Sequence, residues 1–545
     1  MSARDVMDDF DYDRVNFNVN ESESRHPMWM TESHFVYHLM RNDLGHLDSR
    51  RDERGDPLCS PRNLTDMCMN FLVSDPVRII QWKPHEVPFD LYPAILSEAI
   101  FQRELHTIDY LVATWPHHVL DFQSIIPKED MVEPQILSIP VEGPDKMSIL
   151  DCIMYGLLSR KTQCRLRTLN FTGFKLDKKL CRELCRLPIL WMEPEKRNID
   201  VLLEIVSRSI VITRDRMERY LNKIERIYKN MDPSVKHGNQ FEPVTIIMDC
   251  KFNLEDIPIG LAIQNETPFR LACQRLWLEH IPEVECPLNK INKLLEIRDI
   301  THLQIEDDTI CKDEGRFASF LEGLSLLPNL KTLSLPTTIH VEYLPNTAVN
   351  LNSTLRNLPN LLRLKFSGGS LKDNLHIILN GLAQNIISLC LRDCRLSEVD
   401  VDFLLKWDKL KGIKDLNLSR NTINMATGTV LEIIDSMPKL ICLGLSYCSF
   451  GPADLQRITK KCIDCQSLKV LTVQSFTPLS MPETQSLLRD VCDITSLQKC
   501  ILFPESFAFP GQNEFRRQEN REEMIEDCDY FLAEMGRPDI ELEYY

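Results

Sequence analysis

The chain of 545 residues carries 63 Lys and Arg against 80 Asp and Glu, a formal net charge of −17, with 43% hydrophobic and 26% charged residues. That balance is close to the soluble globular average and excludes disorder over most of the length. The acid surplus argues against a nucleic-acid binder working by phosphate neutralisation, and no segment approaches the roughly 20 consecutive apolar residues that cross a bilayer.

The N-terminal stretch lacks the basic-then-apolar layout of a signal peptide. Asp8, Asp9, Asp11, Asp13, Glu21 and Glu23 crowd its first 25 residues. Residues 1–57 are therefore expected to form a solvated, disordered acidic tail on a chain resident in the cytoplasm or nucleus. In that setting the 19 Cys default to free thiols acting as small buried hydrophobes.

Residues 58–120 form a distinct helical segment. Ser60-Pro61 is a helix start, with Ser as N-cap and Pro where no hydrogen bond is lost, and Asp75-Pro76 is a stop. Between them Leu64, Cys68 and Leu72 recur every fourth residue and share one helix face. The pattern resembles the BC box by which substrate receptors dock on elongin C, with Asn63 standing where that box usually has a small residue or Pro. Fifteen residues on, Val87-Pro88-Phe89-Asp90-Leu91-Tyr92 resembles a cullin-2 box. The alternative for the first helix is a plain amphipathic element packed on the rest of the chain.

Beyond it the chain repeats itself. L-x-x-L-x-L motifs begin at Leu330, Leu361, Ile386, Ile413, Leu440, Leu468 and Leu497, at intervals of 31, 25, 27, 27, 28 and 29 residues. That is the leucine-rich-repeat period at its long end. The slot three residues past the last apolar position holds Cys394, Asn421 and Cys448, where a short side chain can bond or fill beneath a tight turn. The intervals leave room for a helix between strands, so the fold class expected is α/β, a strongly curved leucine-rich-repeat solenoid. Weaker copies start at Cys273 and Ile300, and Leu166/Leu169/Phe171 opens the series. Residues 121–240 read as divergent repeats capping one end, with strands at 201–212 and 244–248 around a charged helix at 214–228. Residues 241–510 read as the solenoid proper, and 511–545 as a capping helix and tail, with Cys528, Phe531 and Leu532 covering the last repeat.

Five short segments, in unbroken order over about 60–540, resemble the PRAME (preferentially expressed antigen of melanoma) and leucine-rich repeat-containing protein 14 family. They are Ser60-Pro61-Arg62-x-Leu64, Val87-Pro88-x-x-Leu91-Tyr92-Pro93, Leu111-Val112-x-x-Trp115-Pro116, the run from Cys390 to Ser397, and Ala533-Glu534-Met535-Gly536-Arg537-Pro538. The resemblance implies a leucine-rich-repeat horseshoe serving as substrate-recognition subunit of a cullin-2 and elongin BC ubiquitin ligase. Leu64, Cys68 and Leu72 would then bind elongin C with its partner elongin B, and Val87, Pro88 and Leu91 would bind cullin-2. Members also regulate transcription or NF-κB signalling by binding, which leaves open a scaffold, corepressor or signalling inhibitor that uses no ligase. Under either reading the chain is not an enzyme and its main partner is a protein.

No phosphate-binding Gly loop, nucleophile elbow or HExxH motif occurs in the sequence, and neither cofactor nor metal is expected. Cys462 and Cys465, Cys181 and Cys185, and His117 with His118 all read as packing or surface residues. The face that could choose a partner lies between the repeat leucines. There Arg363, Lys365 and Arg392 form a basic cluster beside Asp415 and Asn417, suited to an acidic or phosphorylated segment.

Overall fold

A computed structural model describes Leu72, Val73, residues 88–126, Leu137, 148–160, 164–172, 243–253, 269–280, 525–544 and, apart from short gaps, 297–503. Of the helix expected between Ser60 and Asp75 only Leu72 and Val73 are described, and both are helical; the strand at 201–212 and the charged helix at 214–228 lie outside the described residues.

Thirteen described strands form one parallel sheet in strict chain order. They are β1 Val119–Asp121, β2 Thr168–Phe171, β3 Val244–Asn253, β4 Phe269–His280, β5 His302–Ile305, β6 Thr332–Ser334 and β7 Arg363–Ser367. They continue as β8 Ser388–Arg392, β9 Asp415–Asn417, β10 Cys442–Gly444, β11 Val470–Thr472, β12 Lys499–Phe503 and β13 Glu541–Tyr544. Parallel neighbours need a crossover of a dozen or more residues, and the 25–31-residue repeat supplies one. Most crossovers in the second half carry a helix: α5 Glu314–Leu324, α6 Thr347–Arg356, α7 Leu375–Leu379, α8 Glu398–Lys406, α9 Thr427–Ser436, α10 Pro452–Cys462 and α11 Met481–Cys492. Consecutive helices pack on one another. This is an α/β arrangement consistent with a repeat solenoid.

The motif leucines set the register. Leu276, Leu303, Leu333, Leu364, Leu389, Leu416, Leu443 and Leu471 pair strand to strand. None is more than 1% exposed. Each buried side chain of this size contributes roughly 1.5–3 kcal/mol of transfer free energy. Because side chains alternate along a strand, the residues flanking these leucines stand on the opposite face of the sheet.

The strand exits explain the Asn/Cys slot. Gly368, Asp393, Arg420 and Tyr447 occupy equivalent positions, all with left-handed φ of 80°, 56°, 61° and 57°. Each donates its N–H to the next turn, to the carbonyls of Arg392, Ser419, Ser446 and Gln474 at 2.7–2.9 Å. That ladder offsets the roughly 1 kcal/mol steric cost of each non-glycine left-handed residue. The following residue points inward. Asn421 Oδ1 accepts from the N–H groups of Cys394 at 3.0 Å and Leu396 at 3.1 Å, while its Nδ2 donates to the carbonyls of Leu391 and Leu418, both at 2.7 Å. In the flanking repeats a thiol takes the place of the amide. Cys448 Sγ donates to Leu418 O at 3.2 Å, and Cys394 Sγ to Arg392 O at 3.4 Å.

Ahead of the sheet, α1 Tyr92–Gln102, α2 Leu105–Ala113 and α4 Ile149–Leu158 pack together, with the single turn α3 Phe122–Ile125 against β2. α4 starts at a capping box, Ser148 N–H to Asp151 Oδ2 at 2.7 Å and Asp151 N–H to Ser148 Oγ at 3.1 Å. These helices join the same continuous core as the repeats.

At the other end residues 525–534 are helical, with Cys528 and Leu532 buried and Phe531 packed on the core. Gly536, at φ 75°, turns the chain back. Arg537 then donates to the carbonyls of Cys492, Ile494 and Leu497 at 2.8, 3.1 and 2.8 Å, which leads the chain into β13. The leucine motif did not reveal that last strand. Among the described residues no helix is long and apolar enough to cross a membrane.

Candidate binding face

Two rows of side chains run across the sheet face that the leucines leave. The first passes through Arg275, His302, Thr332, Arg363, Ser388, Asp415, Cys442, Val470 and Lys499. The second, two residues along each strand, passes through Trp277, Gln304, Ser334, Lys365, Cys390, Asn417, Gly444 and Thr472. Arg392 lies two residues beyond Cys390, opposite Ser367.

All five residues expected to contact a partner fall on this face, and their surroundings differ. Arg363, Lys365 and Arg392 are half-buried. Asp415 is half-buried two strands from Arg363. Burial pushes its carboxyl up to about 6, although the Arg363 guanidinium, the Cys442 thiol, Lys414 and the Ser388 hydroxyl all act to hold it down. Asn417 is 3% exposed, and its Oδ1 accepts from the Ser419 N–H at 2.7 Å. Its polar end is thus engaged in shaping the strand exit. Cys390 is likewise buried, and its thiol donates to Phe366 O at 3.5 Å.

The same alternation rule, applied to the weaker copies at Cys273 and Ile300, reaches face residues that the basic-cluster reading left out. Arg275 pairs with Asp249 on β3 at 3.6 Å, both side chains largely buried. His302 next to it is held uncharged, its pKa lowered to about 3 by burial and then by Arg275, Arg363 and Lys331. At the strand exits Arg420 lies over the Tyr447 ring at 5.5 Å. Arg420, Arg392 and Arg395 all draw down the Asp393 carboxyl, which burial nonetheless leaves raised.

The docking residues expected near the N-terminus divide. Leu64, Cys68 and Val87 lie outside the described residues. Leu72 is helical, and it and Leu91 are half-buried and packed on the core. Pro88, Phe89 and Asp90 are exposed, with Phe89 at 47%. Two of the family-like segments meet here: the Tyr92 and Trp115 rings stand edge to face at 6.0 Å, and His117 Nε2 bonds the Phe89 carbonyl at 2.9 Å. His117 therefore fastens the loop that presents Phe89.

Burial raises the described thiols with a resolved shift, Cys448 to about 12 and Cys394 well above its ordinary value. Cys462 is buried and Cys465 half-buried at a helix end, both with raised pKa. A thiol kept protonated is a poor nucleophile and a poor metal ligand. Among the described residues no three His, Cys, Asp or Glu side chains gather as a metal site. Cys181 and Cys185 lie outside the described residues.

Residues 60–151 match the PRAME N-terminal domain. Along most of its length the chain is similar to leucine-rich repeat-containing protein 14 of Xenopus laevis, 22% identical over 77% of this chain and 82% of that protein. Its mouse counterpart is 22% identical over 74% and 79%. Oogenesin-3 of Mus musculus is 22% identical over 83% of each. The resemblance read from the five short segments thus extends over both the helical segment and the repeats.

Proposed function

We propose that this chain, a relative of the PRAME and leucine-rich repeat-containing protein 14 proteins, is a non-catalytic substrate receptor of a cullin-2 and elongin BC ubiquitin ligase. The observation that carries the reading is the PRAME N-terminal domain at 60–151, placed ahead of a long repeat sheet and containing both docking-box patterns. Elongin C engages Leu64, Cys68 and Leu72, and cullin-2 engages the Val87–Leu91 segment, where the exposed Pro88 and Phe89 offer apolar contact. The sheet face of the curved solenoid holds the substrate. The receptor contributes proximity and orientation, and the chemistry belongs to the conjugating enzyme brought alongside.

Affinity capture of the full chain from cytoplasmic and nuclear extracts tests this reading. Wild type is expected to retain elongins B and C and cullin-2. Leu64→Ala with Cys68→Ala is expected to lose all three while keeping proteins bound through the repeats. A wild type that brings down no elongin defeats the ligase reading and leaves a scaffold or signalling inhibitor that acts by binding alone.

A further inference from the structure

We propose that the strand-entry edge of β8 to β11 docks an amphipathic α-helix of a partner protein, one that carries aliphatic and Glu or Asp side chains on alternate turns. The inference goes beyond the substrate-receptor reading. It is independent of the docking boxes and of the Arg and Lys groups on the sheet face.

The edge is a product of the repeat. The residue before each of these strands continues the parallel ladder. The N–H of Lys414 donates to Ile387 O, that of Ile441 to Lys414 O and that of Lys469 to Ile441 O, at 2.7–2.8 Å. Ile387, Lys414, Ile441 and Lys469 therefore form one row in which aliphatic and cationic side chains take turns. Lys414 is exposed and the other three are half-buried. Neither isoleucine belongs to the continuous core that takes in the motif leucines. Lys411 and Lys439, both exposed, stand in the connections that lead to β9 and β10.

These lysines carry charge that the protein does not use. None of Lys411, Lys414, Lys439 and Lys469 makes an ion pair or a side-chain hydrogen bond with another described residue. Lys414 and Lys469 act on the Asp415 carboxyl and the Cys442 thiol electrostatically, without an ion pair. Two nearby acids are already engaged, since Asp435 and Asp464 lie 2.6 and 3.9 Å from Lys461. The negative helix ends are met by other cations, Lys406 in the last turn of α8 and Lys460 and Lys461 in that of α10. Spacing then selects the occupant. Adjacent strands lie about 4.8 Å apart, so the row from Ile387 to Lys469 spans roughly 14 Å. One turn of α-helix advances about 5.4 Å, so successive turns of a helix laid along the row meet successive strands. The drift, about 2 Å over three turns, is within reach of a lysine stem. An extended peptide sets same-face side chains about 6.6 Å apart and falls out of step by about 2 Å at every strand. A nucleic acid has no aliphatic side chain for Ile387 and Ile441, and it would approach a chain of net charge −17.

The test is fluorescence polarisation with the full-length chain and three labelled peptides of about 15 residues, each held helical by a hydrocarbon staple on its far side. The first alternates Leu and paired Glu on successive turns of one face. The second has Gln for Glu, and the third scatters the residues of the first around the helix. The first is expected to bind, with affinity falling as salt rises, and the other two at least tenfold more weakly. Lys411→Glu, Lys414→Glu, Lys439→Glu and Lys469→Glu together should weaken the first helix at least tenfold and bind a helix with Lys in place of its Glu. Lys372→Glu with Arg395→Glu, exposed residues at the strand-exit side, should leave the first helix bound as in wild type. If the reversed variant does not fold, Lys→Gln at the same four positions carries the measurement, with loss of the first helix expected again. Equal binding of the Gln or scattered helix, or unchanged affinity in the folded variant, would overturn the proposal. So would displacement of the first helix by an equal concentration of single-stranded RNA or of anionic lipid vesicles.

Discussion

Asn421 shows how one side chain sets the repeat turn. It is fully buried and satisfies two N–H groups and two carbonyls from two successive repeats. Asn421→Ala strands those groups away from water, at roughly 1–3 kcal/mol for a buried unsatisfied polar group. We expect a total loss of about 2–4 kcal/mol, read as a lower urea midpoint. Cys448→Ala, which removes one thiol with weak donor bonds, is expected to cost about 1 kcal/mol. Spacing alone located this slot, because a period of 27 residues marks equivalent positions wherever they fold. Spacing could not say that Asn421 reaches back into the preceding turn, or that Asn417, four residues earlier, is consumed by a local bond to Ser419. Both outcomes depend on side-chain rotamers that a one-dimensional pattern does not fix.

At the scale of elements, two of the short family-like segments are explained by what they hold together. Trp115 and His117 fix the Pro88–Tyr92 turn, and Gly536-Arg537 turns the C-terminal chain and caps three carbonyls beneath β12. Neither contact is legible in sequence, since the partners lie 23 to 45 residues apart. The α2–α4 crossing is equally local in cause and remote in sequence. A Cβ at Gly156 would lie 2.7 Å from both Asp109 O and Val112 Cβ. Backbone oxygen cannot yield as a flexible side chain can, so overlap outweighs the better helix propensity of a larger residue, about 1 kcal/mol. Gly156→Val is expected to lower stability by about 2 kcal/mol or more in urea unfolding, with circular dichroism at low denaturant unchanged.

At the scale of the whole molecule, a parallel sheet in strict chain order couples each repeat chiefly to its neighbours. A cavity at the centre is therefore felt by repeats on both sides, and one at an edge by a single neighbour. Leu389→Ala, 1% exposed in β8, should cost about 2–5 kcal/mol. Leu542→Ala, half-buried in the edge strand β13, should cost less than half as much. Hydrogen exchange should show protection falling from β6–β10 towards both ends; uniform loss after either substitution would contradict nearest-neighbour coupling.

The sequence by itself determined the strand-helix repeat, its register and the alternation that separates core from face, because leucines at fixed spacing can be buried together in one way only. It also placed Arg363, Lys365 and Arg392 on the face. Tertiary structure alone decided that the sheet extends to β13, that Arg275 pairs with Asp249 and that burial keeps His302 uncharged. It also decided that burial raises the Asp415 carboxyl to about 6 against the pull of Arg363 two strands away. Those facts arise from strand-to-strand pairing and from burial, which act between residues that no local pattern connects.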